Sequence, residues 1–327
     1  MRVLITGGAG FIGSHLAEAY LNKGDEVYII DDLSTGSINN IEHFTENDRF
    51  KDKIFVNIES IFNHKKMVEL VGICDVVFHL AAAVGVKHIL SNPLKSMKTN
   101  IHGTEKVLEL CFRFKKKILI TSSSEVYGKH IHSPLTETDN IIYGPTSKFR
   151  WSYAASKLID EFTALAYNRT KGLKVIITRL FNTVGPRQTA AYGMVIPRLV
   201  TQALNNESLT VYGNGKQTRT FTYVSDVVTA LMSFMDNDRA IGEIINIGGT
   251  QEITIFDLAK KIIDKTQSKS AIQLVPYDEA FEKDFEDMQR RVPNIERARQ
   301  LIGFEPEINL DTMLTNIVKS FRAEILN

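Results

Sequence analysis

The sequence of 327 residues predicts an α/β fold, a doubly wound parallel Rossmann sheet with a smaller C-terminal lobe. Two observations predict it. Short apolar runs rich in β-branched residues alternate with segments of helical spacing through the first half of the chain, and a glycine-rich turn follows the first run. Alternation of strands and helices favours right-handed βαβ units around one parallel sheet.

Six apolar runs have the length and composition of buried parallel strands. They are Val3–Thr6, Val27–Ile30, Ile54–Val56, Val76–Leu80, Ile118–Thr121 and Val175–Thr178. Segments of helical spacing lie between them, at Gly13–Asn22, Asn100–Phe112 and Tyr153–Thr170. We therefore assign residues 1–180 to the Rossmann domain.

The pattern changes after residue 180, where helix candidates mix with short strand candidates. The helix candidates are Val195–Asn205, Val227–Met235 and Ile255–Thr266. The strand candidates are Leu209–Tyr212, Ile244–Ile247 and Ile272–Val275. Glycines punctuate this region. Residues 181–327 are predicted to form mainly the smaller lobe, with the strand near 245 able to rejoin the main sheet.

Composition excludes several classes of partner. The 39 basic residues nearly balance the 38 acidic ones, so nothing indicates a nucleic-acid partner. No apolar run approaches the length that spans a bilayer, and the N-terminus has no signal-peptide profile. Two cysteines form neither a disulfide framework nor a metal site. We expect a soluble cytoplasmic protein without a metal, a membrane or a nucleic-acid partner.

The glycine-rich turn predicts a dinucleotide site. Gly7, Gly10 and Gly13 have the spacing that permits a tight turn, close approach to a pyrophosphate, and close packing of helix on strand. Phe11 and Ile12 complete the helix N-terminus that faces the phosphates. The second strand ends at the carboxylates Asp31 and Asp32, which can accept hydrogen bonds from a ribose diol and would repel a 2′-phosphate. The sequence therefore favours NAD over NADP.

Further cofactor contacts are expected where other strands end. Leu80, Ala81 and Ala82 end the fourth strand, where small residues let the nicotinamide half approach the backbone. Asn57 and Ile58 end the third strand, near the expected adenine position, and Thr121 ends the fifth. His79 is interpreted as structural.

Tyr153 and Lys157 form the predicted catalytic pair. They are four residues apart on a predicted helix, so they share one face. An ammonium beside a phenol favours the phenolate, so Lys157 is expected to lower the pKa of Tyr153 and to make it a general base for a hydroxyl. Ser123 and Ser124 end the fifth strand at the edge where doubly wound folds bind ligands, and can orient the substrate oxygen.

The chain resembles the NAD-dependent nucleotide-sugar epimerase/dehydratase family of extended short-chain dehydrogenase/reductases. The matching strings are TGGAGFIGSHL, FHLAAA, SSSEVYG, YAASK, RLFNTVGPR, VYGNGKQTRTFTYVSDV and EIINIG. The resemblance implies that Ser123, Tyr153 and Lys157 oxidise a sugar hydroxyl with bound NAD. It implies that further residues hold the nucleotide and diphosphate, namely Asn182, Val195, Tyr212, Arg219 and Arg187. It also implies a homodimer joined by a four-helix bundle.

The reaction within the family depends on local residues. Ser124-Glu125 stands where dehydratases have an Asp-Glu pair, and the string from Gly144 to Tyr153 is similar to UDP-glucuronate decarboxylases. A carboxylate substrate needs cations, which Arg150, Arg187, Arg219 and Arg291 can supply. Glu125 or a nearby serine is expected to handle the proton at C5. The sequence favours a UDP-glucuronate decarboxylase; a UDP-sugar C4-epimerase is the alternative, and a dehydratase or net dehydrogenase is less favoured.

Overall fold

A seven-stranded parallel sheet forms the centre of the molecule. The computed structural model describes residues 1–85, 89, 91–190, 193–280 and 288–326. The strands of the sheet are β1 (Arg2–Thr6), β2 (Glu26–Asp31), β3 (Ile54–Ile58), β4 (Val76–His79), β5 (Lys117–Ser123), β6 (Val175–Leu180) and β11 (Ile244–Ile247). Their order is β11-β6-β5-β4-β1-β2-β3, and every pair is parallel. The fold class predicted from the sequence is confirmed.

Helices cover both faces of this sheet. One face carries α1 (Phe11–Lys23), α2 (Asn39–Thr45), α7 (Val224–Met235) and α10 (Glu296–Ile302), which share one apolar core. The other face carries α3 (His64–Ile73), α4 (Pro93–Arg113) and α5 (Arg150–Lys171), which share a second core. Burial of both faces explains why the strands read as nearly continuous apolar runs.

The smaller lobe has its own apolar core. Its helices are α6 (Val195–Leu204), α8 (Ile255–Thr266) and α11 (Leu310–Leu326). They pack around the parallel pair β8 (Leu209–Tyr212) and β13 (Ile272–Val275). A short helix, α9 (Tyr277–Ala280), follows β13.

Short strands join this lobe to the Rossmann domain. β7 (Thr183–Val184) pairs with β10 (Thr222–Tyr223), and β9 (Thr218–Thr220) lies between β12 (Glu252–Thr254) and β14 (Arg290–Arg291). Because β14 runs parallel to β9, Arg291 stands beside Arg219. This register brings together two arginines that are far apart in sequence.

The chain crosses between the two parts more than once. β11 pairs with β6, as anticipated, and α7 and α10 also pack on the main sheet. The smaller lobe is therefore not one continuous segment from residue 181 to 327. Residues 191 and 192, in the loop after Gly185-Pro186-Arg187, lie outside the described residues. Over the ranges given above, the structure contains no helix that is long and apolar enough to cross a membrane.

Candidate active site

A cavity of about 1280 Å³ opens at the carboxyl ends of the central strands. Open parallel sheets bind ligands at this edge. The lining includes the glycine turn after β1, the ends of β4 and β5, the start of α5, and Arg291 of β14. Residues from both parts of the molecule therefore meet in one site.

The glycine turn forms a cradle that larger residues would fill. Gly7 has a φ of +73°, and a Cβ there would lie 2.8 Å from the amide nitrogen of Ala81. A Cβ on Gly13 would lie 2.1 Å from the carbonyl oxygen of Gly7. Gly10, Phe11 and the other two glycines line the cavity at the start of α1. The free N–H groups of a helix N-terminus beside an open cradle fit a dinucleotide pyrophosphate.

Asp31 is buried and hydrogen-bonded to the glycine turn, whereas Asp32 is exposed. The Asp31 carboxylate accepts hydrogen bonds from the amides of Ala9 (3.0 Å) and Leu33 (2.8 Å), and the residue is 8% exposed. Burial raises its pKa, while the two amides act in the opposite direction. Asp32 is exposed and accepts a hydrogen bond from the amide of Ser34. Both carboxylates line the cavity where a ribose diol would lie.

The other predicted cofactor residues divide into two groups. Ile12, Leu80, Ala81, Ala82 and Thr121 line the cavity. Asn57 and Ile58 lie outside its lining: Asn57 donates to the carbonyl of Ile29, and Ile58 is 47% exposed. Ser60 and Ile61 line that end of the cavity instead, because the chain turns inward after β3. An adenine contact by Asn57 or Ile58 stays a prediction.

His79 is structural in this fold, as interpreted. Its Nδ1 lies 2.7 Å from the hydroxyl of Thr6, and its Nε2 lies 3.0 Å from the hydroxyl of Thr104. Burial and the charge of Lys157 lower its pKa to about 3, so the ring is neutral. A buried neutral imidazole with both nitrogens hydrogen-bonded holds β4 against α4.

Ser123, Tyr153 and Lys157 meet in the cavity, as the sequence predicts. A hydrogen bond with Ser123 favours the phenolate of Tyr153. The predicted direction of the pKa shift is wrong for the protein alone. Burial raises the pKa of Tyr153, and the Glu125 carboxylate raises it further. Lys157 lies 3.2 Å from the Asp160 carboxylate, which offsets the ammonium charge.

Glu125 is held between two buried arginines. Its Oε1 lies 2.6 Å from Nη1 of Arg291, and its Oε2 lies 3.3 Å from Nη2 of Arg150. The arginine side chains are 7% and 6% exposed. Burial opposes ionisation, but the charges of Arg150, Arg291 and Arg219 dominate and lower the pKa of Glu125 to about 2. Two guanidinium groups therefore contact the carboxylate, and the third, Arg219, acts on it through space, so positive charge exceeds negative charge around Glu125.

This geometry argues against Glu125 as the donor of the C5 proton, and the expected alternative, a nearby serine, stays a prediction. With a pKa of about 2, the carboxyl carries no proton to give to C5 near neutral pH. Its charge and its contacts with Arg150 and Arg291 are what it contributes to the cavity. Ser124 is buried and also lines the cavity, and its contact with the substrate stays a prediction.

The remaining predicted substrate residues differ in position. Asn182 lines the cavity and donates to the carbonyl of Thr220. Arg187 also lines it, but its Nη2 lies 2.5 Å from Oε2 of Glu18 on α1. This ion pair holds the loop that follows β7 against α1. Three of the predicted substrate residues lie outside the cavity lining: Val195, Tyr212 and Arg219.

Sequence reasoning missed a buried network behind the serine strand. The Ser122 hydroxyl donates to Oε1 of Glu161 at 2.5 Å, and Arg179 binds both oxygens of the same carboxylate. Glu161 lies one residue after Asp160 on α5, and Arg179 lies on β6. The network fixes α5 against β5 and so holds Tyr153 near Ser123. The only sequence signal is a pair of acids at the fourth turn of an otherwise buried helix face.

The fold agrees with the comparisons to known proteins. The sequence profile of the GDP-mannose 4,6 dehydratase family matches residues 4–317. The chain belongs to this family. A UDP-N-acetyl-alpha-D-glucosaminuronate decarboxylase from Bacillus cytotoxicus is 42% identical to this family member over 322 residues, which cover 98% of either protein. UDP-glucuronic acid decarboxylase 1 of Arabidopsis thaliana is 36% identical over 327 residues, or 100% of this chain and 71% of that protein.

The fold is also similar to that of a solved structure. This member of the dehydratase family superposes with a TM-score of 0.88 on UDP-glucuronic acid 4-epimerase from Bacillus cereus, solved with UDP-glucuronic acid and NAD. The two are 28% identical, and the match covers 99% of this chain and 100% of that one. The predicted family of extended short-chain dehydrogenase/reductases and the predicted enzyme class are confirmed.

Proposed function

We propose that the protein decarboxylates a UDP-linked hexuronic acid, beginning with oxidation at C4. The observation that carries this proposal is the pair of cavity-lining arginines, Arg150 and Arg291, that bind the Glu125 carboxylate near Tyr153. Such a pocket suits a substrate that carries both a diphosphate and a carboxylate. Relatives at 42% and 36% identity are decarboxylases of UDP-hexuronic acids.

NAD is the cofactor that the cradle accommodates, and the related Bacillus cereus structure contains it. When bound in this cradle, NAD would supply the acceptor for the hydride at C4 of the sugar and the donor for its return. Tyr153 removes the proton of the C4 hydroxyl, and Ser123 holds that oxygen in place. Asp31 binds the ribose diol through the carboxylate that already anchors the glycine turn.

Once C4 is a ketone, the sugar is a β-keto acid whose carboxylate is C6. The C5–C6 bond then breaks, carbon dioxide leaves, and the electron pair moves into the enolate at C4. C5 takes one proton from solvent, because Glu125 is ionised. Tyr153 returns its proton to the C4 oxygen when the ketone is reduced. The reaction thus consumes one proton for each carbon dioxide released.

The substrate is identified by incubating the enzyme with UDP-glucuronate and, separately, with UDP-N-acetylglucosaminuronate, and by reading product masses. We expect loss of carbon dioxide from at least one of them. The relative at 42% identity favours the N-acetylated sugar, whereas the relative at 36% favours the unsubstituted one. Equilibration of C4 epimers without loss of mass would establish the alternative reaction, a C4-epimerase.

Asp31→Asn is expected to weaken NAD binding and to raise the relative affinity for NADP. The substitution removes the charge that would repel a 2′-phosphate and loosens the contacts with Ala9 and Leu33. Loss of a charge-assisted hydrogen bond is worth about 1.5–3 kcal/mol, so NAD affinity should fall by at least about tenfold. Titration of the cofactor by calorimetry measures both constants. The control, Asp32→Asn, changes the exposed neighbour, and an equal effect there would assign the ribose to Asp32.

We also propose that the protein is a homodimer joined through α4 and α5. The two helices pack against each other and expose large apolar side chains. Phe112 is 40%, Ile159 41% and Phe162 65% exposed. Two copies of this helix pair would form a four-helix bundle that removes these surfaces from water.

Phe162→Glu is expected to convert the dimer to a monomer, because two copies would place unpaired charges in an apolar interface. Light scattering at micromolar concentration measures the mass. Ile131→Glu is the matched control, since Ile131 is 82% exposed and lies outside both helices. A wild-type protein that is monomeric, or a mass unchanged by the Phe162 substitution, would contradict this interface.

A further inference from the structure

Asp160 lies on the same helix face as the catalytic pair. Tyr153, Lys157 and Asp160 are spaced by four and then three residues on α5, so phenol, ammonium and carboxylate follow one another along one stripe. Nζ of Lys157 lies 3.2 Å from Oδ2 of Asp160, and the two side chains are 5% and 2% exposed. A buried lysine needs such a counter-charge, and the carboxylate supplies it.

Asp160 also ends a chain of hydrogen bonds that starts at the cofactor side of the cavity. The amide of Ala81 donates to the Thr6 hydroxyl (3.2 Å), which lies 2.7 Å from Nδ1 of His79. Nε2 of the same ring lies 3.0 Å from the Thr104 hydroxyl. A neutral ring has one donor and one acceptor nitrogen. Thr104 also bonds to the Asp160 carboxylate, which can only accept, so the Thr104 hydroxyl donates to Asp160 and accepts from Nε2, and Nδ1 accepts from Thr6.

We propose that Asp160 is a positioning residue: its carboxylate holds the Lys157 ammonium, offsets the ammonium charge, and so sets the proton affinity of the Tyr153 hydroxyl. The charged groups that face Asp160, among the described residues, are Lys157 and Glu161. Glu161 is bound by Arg179 of β6, while Thr104 of α4 and His79 of β4 are uncharged. Asp160 therefore acts mainly on Lys157 and, through space, on Tyr153.

The pKa directions agree with this geometry. The Asp160 charge is one of the causes that raise the pKa of Tyr153. Burial raises the pKa of Asp160 itself to about 6, with Lys157 and Thr104 acting in the opposite direction. Seven residues of helix separate Asp160 from Tyr153 by about 10 Å along the axis. At that distance a unit charge shifts a pKa by about one unit when the effective dielectric constant is about 20.

The test rests on the proposed role of Tyr153 and uses the first half-reaction, the reduction of bound NAD by a UDP-sugar. This step is common to the decarboxylase and the epimerase, so a wrong choice between them does not affect it. Asp160→Asn should move the acid limb of its pH–rate profile to lower pH by about one unit, with KM unchanged. Asp160→Glu keeps the charge, so its acid limb should lie at the wild-type pH. Asp264→Asn, a substitution at an exposed position on α8, should also leave the acid limb at the wild-type pH.

Several results would overturn the proposal. An Asp160→Asn profile that superimposes on the wild type, or that moves to higher pH, means that Asp160 only supports the fold. If the Asn variant does not fold, a Glu variant with a limb shifted by a full unit contradicts the proposal, and one with the wild-type limb supports it.

A second readout does not need turnover. An acid whose folded pKa is raised from about 3.9 to about 6 stabilises the fold below the lower value, and that stability is lost as pH rises through the upper one. The melting temperature of the wild type should therefore fall more steeply than that of Asp160→Asn between these values. If no UDP-sugar reduces bound NAD, the proposed function fails. Lys157 holds down the pKa of Asp160, so the melting temperature of Lys157→Met should fall still more steeply with pH, and a slope equal to that of the wild type would separately refute the Lys157–Asp160 pair.

Discussion

Replacing Tyr153 with phenylalanine should lower turnover by about 10²- to 10⁴-fold while NAD stays bound. We expect the phenol to take the C4 proton, since Glu125 is paired with two arginines and His79, at the end of β4, is buried outside the cavity lining. The substitution leaves the ring in place, so the cavity keeps its shape. Product formation and retained cofactor are measured on the same preparation, the first by mass spectrometry and the second by absorbance after denaturation.

Tyr143→Phe is the matched control for this experiment. The Tyr143 hydroxyl is buried and has no hydrogen-bond partner among the described residues, and its ring stacks on Trp151 near the start of α5. Removing that hydroxyl breaks no hydrogen bond among the described residues, so turnover should stay within about twofold of the wild type. Substantial turnover in Tyr153→Phe would mean that another group removes the proton.

Glu125→Gln should slow the release of carbon dioxide by about 10²-fold while reduction of bound NAD continues. Without the Glu125 charge, Arg150 and Arg291 bind the substrate carboxylate more tightly before it reacts. Carbon dioxide is neutral, so those stronger ion pairs must be lost on the way to product, and the barrier rises. We expect reduced NAD and a 4-keto sugar acid to accumulate, with a lower KM for the uronate.

The neighbouring pair provides the control for Glu125. Glu252 binds Arg290, which precedes Arg291 on β14, and lies outside the cavity lining. Glu252→Gln should leave both steps unchanged. If Glu125→Gln slows NAD reduction and carbon dioxide release equally, the carboxylate serves the oxidation and not the decarboxylation.

Much of the fold follows from short-range patterns. The six first-half strands are continuous apolar runs because helices cover both faces of the sheet, and such runs are visible in the sequence. The first turns of α4 were not predicted. That helix begins at Pro93, seven residues before the predicted start, where two lysines, a serine and a threonine interrupt the apolar stripe. Proline at the first helical position is a favourable start that hydrophobic periodicity does not detect.

The site was predictable where one local element carries it. The glycine turn and the Tyr153–Lys157 pair each lie within a single strand–turn–helix or helix, so spacing alone defines their geometry. The sign of the Tyr153 pKa shift was not predictable, because it depends on burial and on Glu125 from another element. The ion pairs of Glu125 needed the register of β9 and β14, two strands of two and three residues.

Strand β14 brings an arginine of the C-terminal part of the chain to the cavity where C4 oxidation is proposed to occur. The groups that we propose for C4 oxidation all come from the first 157 residues, whereas Arg291 lines the same cavity from near the end of the chain. Two homologues can therefore be identical across the glycine turn and the Tyr153 helix and still make different products. Deciding which sugar a newly found homologue forms requires reading its last forty residues alongside its first half.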